Sequence, residues 1–170
     1  STVNVASGGT GSFDNILSLA GTNAQVQTIN VTGDHALDLT VGSGFSNVRD
    51  INASTNTAGL NLDSSHGGTG DGIIIQLLNI LPLSVVTTNL LAPVLTALGL
   101  NGYQMTVEGS SAADTLGVIG NTTLTGGAGA NTYDIKASNT QAGVTIKDFN
   151  SLKDSIVDVN HGGLTISDDA

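Results

Sequence analysis

Cysteine is absent from this chain of 170 residues, which removes thiol catalysis, thiolate metal sites and disulfide staples together. That absence is unusual for a secreted eukaryotic domain and ordinary for bacterial export. Cations are scarce too: Arg49, Lys136, Lys147 and Lys153 stand against 14 acids, for a formal net charge of −10. Such a surface repels a phosphate backbone and attracts cations, so nucleic acid is not an expected partner. With Glu108 as the single glutamate there is no His-Glu-x-x-His zinc site, and no Gly-x-Ser-x-Gly elbow occurs. The chain is therefore not expected to be an enzyme. The catalytic alternative is a polysaccharide lyase built on parallel coils. It would need Arg49 or one of the three lysines as base, and four scattered cations make a poor groove for an acidic sugar. His35, His66 and His161 are isolated and are expected to be solvated turn residues rather than zinc ligands. In Gly8-Gly9-Thr10-Gly11-Ser12 a phosphate loop fails because Phe13 and Asp14 follow where a lysine is required. Aromatics make up 3% of the chain, too few for a broad globular core but sufficient for a narrow one of stacked aliphatics.

What the chain does hold is glycine and aspartate. All its acids but Glu108 are aspartates, which prefer turns and metal loops where helical surfaces use glutamate. The bias points to β structure with acidic corners. The stretch Gly126-Gly127-Ala128-Gly129-Ala130-Asn131-Thr132-Tyr133 fits the nonapeptide G-G-x-G-x-D-x-U, with Asn131 in the aspartate place and Tyr133 as the large apolar residue U. That repeat describes a calcium-binding parallel β-roll. Its glycines take positive φ and let carbonyls approach a hard cation that wants six to eight oxygens. Upstream, Gly109-Ser110-Ser111-Ala112-Ala113-Asp114-Thr115-Leu116 has the same grammar, and Gly117 to Leu124 repeats it with Thr122 in the aspartate place. With two such units per coil, Asp114 and Asn131 share a side, and a further step of seventeen lands on Asp148. The column Asp114, Asn131 and Asp148, with Gly109, Gly126, Gly127 and Gly129, is the candidate Ca2+ site. A metal-free structural role for the same turns stays open.

A second repeat lies near the start. Ile29 to Leu39 aligns with Ile51 to Asp63 at a step of 22 to 23, each copy being two short alternating strands. A step of that size suits one coil of a parallel β-helix, which buries its apolar face only by stacking on neighbours. Val3-Asn4-Val5 is expected to begin an earlier coil, and Phe13 to Gln25, including Asn15 to Ala20, to form a short helix or capping turn. Between the repeats, Ile73 to Leu100 carries no charge. Its apolar residues Ile73, Ile74, Leu77, Leu78 and Leu81, then Leu90, Leu91, Val94, Leu95 and Leu98, keep one helical face each. Pro82, Asn89 and Gly99 punctuate the run, so a short α-helical hairpin inserted into the solenoid is expected, serving as core, with an oligomer interface and lipid contact as the other readings. The expected architecture is a mainly β, single solenoid domain over 1–170: β-helix coils over 1–71, the helical insertion over 72–102, and a β-roll with closing strands over 103–170.

From Glu108 to Val159 the chain resembles the bacterial repeats-in-toxin family, whose arrays close with a strand, an Asp-Phe pair and an acidic turn. Here that ending reads Thr145-Ile146-Lys147-Asp148-Phe149-Asn150 and then Lys153-Asp154-Ser155-Ile156-Val157-Asp158. The earlier phrases Thr28 to Gly33 and Asp50 to Ser54 are similar to surface-layer proteins of that superfamily. The resemblance implies a calcium-stabilised structural segment on a bacterial cell surface, secreted without a cleaved N-terminal signal. It implies self-association into a lattice or oligomer, with a cell-surface glycan or lipopolysaccharide as a further partner; membrane contact is not the preferred reading. A calcium-binding domain of an exported adhesin or toxin is the alternative. With no signal-peptide pattern at Ser1, a fragment or a processed form is expected.

Overall fold

The computed structural model describes residues 1–69, 102–136, 143–157 and 163–169. Among them every regular element is a strand. The order is β1 (Thr2–Ala6), β2 (Asn15–Leu19), β3 (Thr28–Thr32), β4 (Leu37–Val41), β5 (Asp50–Asn52), β6 (Leu60–Ser64), β7 (Met105–Glu108), β8 (Thr115–Val118), β9 (Thr122–Thr125), β10 (Thr132–Ile135), β11 (Val144–Phe149), β12 (Ser155–Val157) and β13 (Leu164–Asp168). Odd-numbered strands form one seven-stranded sheet and even-numbered strands a six-stranded one. Every pairing is parallel and joins strands two apart in the chain, so the backbone alternates between sheets, laying one strand in each per rung.

The reason is the alternation of apolar and polar residues at short range. In β4 the pattern Leu-Asp-Leu-Thr-Val buries Leu37, Leu39 and Val41, and β6 repeats it with Leu60 and Leu62. Registers align these side chains into columns between the sheets. One column runs Val3, Ile29, Ile51, Val107, Leu124, Ile146 and Ile166. The facing one runs Leu17, Leu39, Leu62, Leu116, Tyr133 and Ile156. Stacked aliphatics thus make the core, and among the described residues Tyr133 is the one aromatic ring buried completely.

The N-terminal repeat pairs as its alignment predicts: Ile29 sits beside Ile51, and Leu37 beside Leu60. Val3 begins an earlier rung beside Ile29. The helix or capping turn expected over Phe13 to Gln25 is corrected. Asn15–Leu19 is strand β2, with Leu17 and Leu19 against the core and Ile16 80% exposed. Its five main-chain positions are in register with β4, and that ladder outweighs the helical propensity of a short Leu-rich stretch.

The hairpin expected over 72–102, with its apolar run Ile73 to Leu100, falls outside the described residues. On either side of that run the rung closes in register, with Ile51 beside Val107 and Leu62 beside Leu116. Tyr103 locks the re-entry point. Its hydroxyl lies 3.1 Å from His66 Nε2 and donates to the Ser46 carbonyl, while Arg49 stacks on its ring at 4.4 Å.

Candidate calcium turns

On one edge of the paired sheets the connections 53–59, 109–114, 126–131 and 150–154 lie against one another. Glycines occur there because neighbouring turns leave no room for a Cβ. One added at Gly109 would overlap the Gly126 carbonyl and the Asp114 carboxylate, and one at Gly129 would overlap the main chain of Ala112. At Gly126 it would strike the Tyr133 hydroxyl, and Gly127 has φ 86°, a left-handed conformation that favours glycine.

Asp114 and Asn131 share a side, as their spacing predicts, because Thr115 pairs with Thr132. The third place in that column belongs to Asp154, since Thr132 pairs with Ser155. The column drawn through Asp148 is thereby corrected: Asp148 lies on β11, in the other sheet. A step of seventeen holds for one rung only, and the connection 136–143 lengthens the next. Asp154-Ser155-Ile156 does repeat the phrase Asp114-Thr115-Leu116, but that phrase by itself does not fix the rung on which Asp154 falls.

Each member of the column caps the strand of the rung before it. The Leu60 amide donates to Asp114 Oδ1 at 2.8 Å, the Asp114 amide to Asn131 Oδ1 at 3.0 Å, and the Asn131 amide to Asp154 Oδ1 at 2.8 Å. A buried amide without a partner costs about 1–3 kcal/mol, so this ladder of side chains is structural in its own right. Asp148 acts at the adjoining corner, where its carboxylate accepts from the Gly126 and Gly127 amides at 2.8 and 2.9 Å and lies 3.4 Å from the Tyr133 hydroxyl. Asn56, which the motif does not pick out, braces the turn before in a different way: Oδ1 takes the Ala58 and Gly59 amides of its own turn, and Nδ2 donates to the Thr32 and His35 carbonyls of the preceding rung.

Electrostatically the column centres on Asp114, which is 3% exposed. Burial pushes its carboxyl above the usual carboxylate range, opposed by the Ser110 hydroxyl and the Leu60 amide that bond its Oδ1. Its other oxygen, Oδ2, is buried without a hydrogen bond. Burial, followed by the charges of Asp148 and Asp154, likewise holds the Tyr133 hydroxyl well above the ordinary phenol range.

A calcium ion finds a partial fit here. Among the described residues no three His, Asp or Glu side chains converge on one point, and amides already occupy Asn131 Oδ1 and both Asp148 oxygens. What fits is the unpartnered Asp114 Oδ2 beside the Gly126 carbonyl, both bordering the space that Gly109 leaves empty. A cleft of about 230 Å³, lined by Glu108, Ser110 and Thr125, lies against it. Acids elsewhere on the turns and strands are placed differently. Asp34 and Asp63 are exposed, the latter paired with Lys136, whereas Asp154 is buried in the ladder and is no free corner. For two of the histidines the expectation of a solvated ring is also corrected: His35 and His66 are each 8% exposed, and carbonyls hold both rings, while His161 lies outside the described residues.

Comparison of the chain with protein-family models, curated proteins and solved structures finds no match to any of the three.

Proposed function

We propose that the chain is a parallel β-helix or β-roll solenoid, with a short helical insertion over 72–102, that serves as a structural segment of a self-assembling bacterial cell-surface protein. The observation that carries this reading is the parallel pairing of seven strands in one sheet and six in the other. Among the described residues of that stack the acids lie both on strands and in turns, and no three of them converge on one point. Calcium enters as a stabiliser held by Asp114 Oδ2 and the Gly126 carbonyl, with Glu108 and Thr125 at the mouth. Bound there, it would neutralise a buried carboxylate and tie the turn 109–114 to the turn 126–131.

Sedimentation velocity and isothermal titration with and without calcium test the two parts of the proposal separately. Expected are heat of binding, a rise in melting temperature, and oligomers that dissolve in chelator. Binding without oligomers would favour the calcium-binding domain of an exported adhesin or toxin. Oligomers indifferent to calcium would leave assembly standing and remove the metal.

A further inference from the structure

The segment Gly8 to Asp14 joins β1 to β2, and among the described residues no main-chain hydrogen bond ties it to the sheets. Its ends are fixed, with the Ser7 amide donating to Thr32 and the Asn15 amide to Ala36. Asn15 Nδ2 also reaches the Gly8 carbonyl at 3.1 Å. The middle is held by one imidazole. His35 Nε2 lies 2.7 Å from the Gly11 carbonyl, Nδ1 lies 2.9 Å from Asp34 Oδ1, and the Phe13 ring packs on the imidazole at 4.6 Å.

Both neighbours of that imidazole can only accept. A neutral ring has one N–H, so one nitrogen must turn a lone pair toward an oxygen, whereas the imidazolium donates to both. When a single proton remains, the carboxylate claims it at Nδ1, because the charge-assisted bond is the stronger. Gly11 then loses its donor. We propose that His35 is a protonation-operated latch: as imidazolium it clamps the glycine-rich loop Gly8–Asp14 to the turn 33–36, and as neutral imidazole it lets the loop go. Gly9 and Gly11, at φ 143° and 98°, supply the backbone freedom for that movement.

Electrostatics agree with the geometry. The Asp34 hydrogen bond first, and the Gly11 carbonyl second, raise the His35 pKa above its ordinary 6.5, against a smaller opposing effect of burial. A raised histidine pKa contributes order that is complete below 6.5 and is lost as pH climbs through the folded value. The other titratable groups facing the ring are Asp34 of its own turn and Asp14 of the loop, which line the same cleft of about 560 Å³; the neighbouring turn contributes Ala58. Loss of the imidazolium leaves two carboxylates in that cleft without a cation. The latch thus opens an acidic cleft on the alkaline side.

Ring-nitrogen NMR and amide exchange on the whole chain, from about pH 5 to about pH 9, test the proposal across the histidine range. Expected is a His35 midpoint above 6.5, a doubly protonated ring below it, and an Nδ1–H tautomer above it. Exchange at Thr10 to Phe13, corrected for intrinsic rate, should accelerate through the same midpoint. His66 is an internal control, because burial lowers its pKa. Asp34→Asn should lower the ring midpoint and the exchange midpoint together, and His35→Gln should abolish the step while circular dichroism keeps the β signal. A His35 midpoint at or below 6.5, or loop exchange that does not follow the ring, overturns the latch. Should His35→Gln fail to fold, the wild-type and Asp34→Asn midpoints decide alone.

Discussion

At the scale of single residues, the glycine-rich turns are specified twice, once by backbone conformation and once by lack of space. Gly129 illustrates the second cause, since its Cβ would meet the main chain of Ala112, which cannot rotate away as a side chain would. Gly129→Ala should therefore cost about 1–3 kcal/mol in a denaturant titration, the range of an overpacked site. Asn131→Ala should cost a similar amount, about 1–3 kcal/mol, by orphaning the Asp114 amide. Asp114→Asn separates structure from metal. Because burial raises the Asp114 pKa, its carboxyl favours the native state below the ordinary value of 3.8 and loses that contribution as pH rises through the folded value. In chelator at neutral pH the variant should thus be at least as stable as wild type, with the advantage vanishing in acid, while calorimetry finds its calcium binding weakened. The spacing that pairs Asp114 with Asn131 was legible in the nonapeptide. The role of Asp154 was not, because it depends on the length of a connection with no repeat of its own.

For the strands the governing fact is that each rung finds its apolar partners in the rungs beside it. Leu124 is fully buried and stacked between Val107 and Ile146, so Leu124→Ala should cost about 2–5 kcal/mol, read from the chemical denaturation midpoint. The β2 assignment has a sharper test. In a strand Leu17 faces in and Ile16 faces out, so Leu17→Asp should destabilise strongly and Ile16→Asp hardly at all. Comparable losses from both would contradict the strand. The short-range pattern around Asn15 to Leu19 is ambiguous because alternation and a single helical turn differ little over five residues. Only the register with Leu37 to Val41 resolves it.

Across the whole molecule, parallel sheets over an acidic chain set the terms for association. With a net charge of −10, copies of the chain repel one another, and divalent ions relieve that repulsion more effectively than monovalent salt. Calcium at millimolar concentration should therefore raise the sedimentation coefficient, whereas sodium chloride of equal ionic strength should not. The sequence by itself determined the β class, the 22 to 23 residue repeat and the inward places of Ile29, Leu39, Leu116 and Tyr133, because alternation and glycine placement are local properties. Tertiary structure alone decided that Asp154 rather than Asp148 completes the column, that Asn15–Leu19 is a strand, and that His35 is gripped between two oxygens. Each of these depends on which rung lies next to which, and that is set by how many residues each connection spends before the chain returns to its sheet.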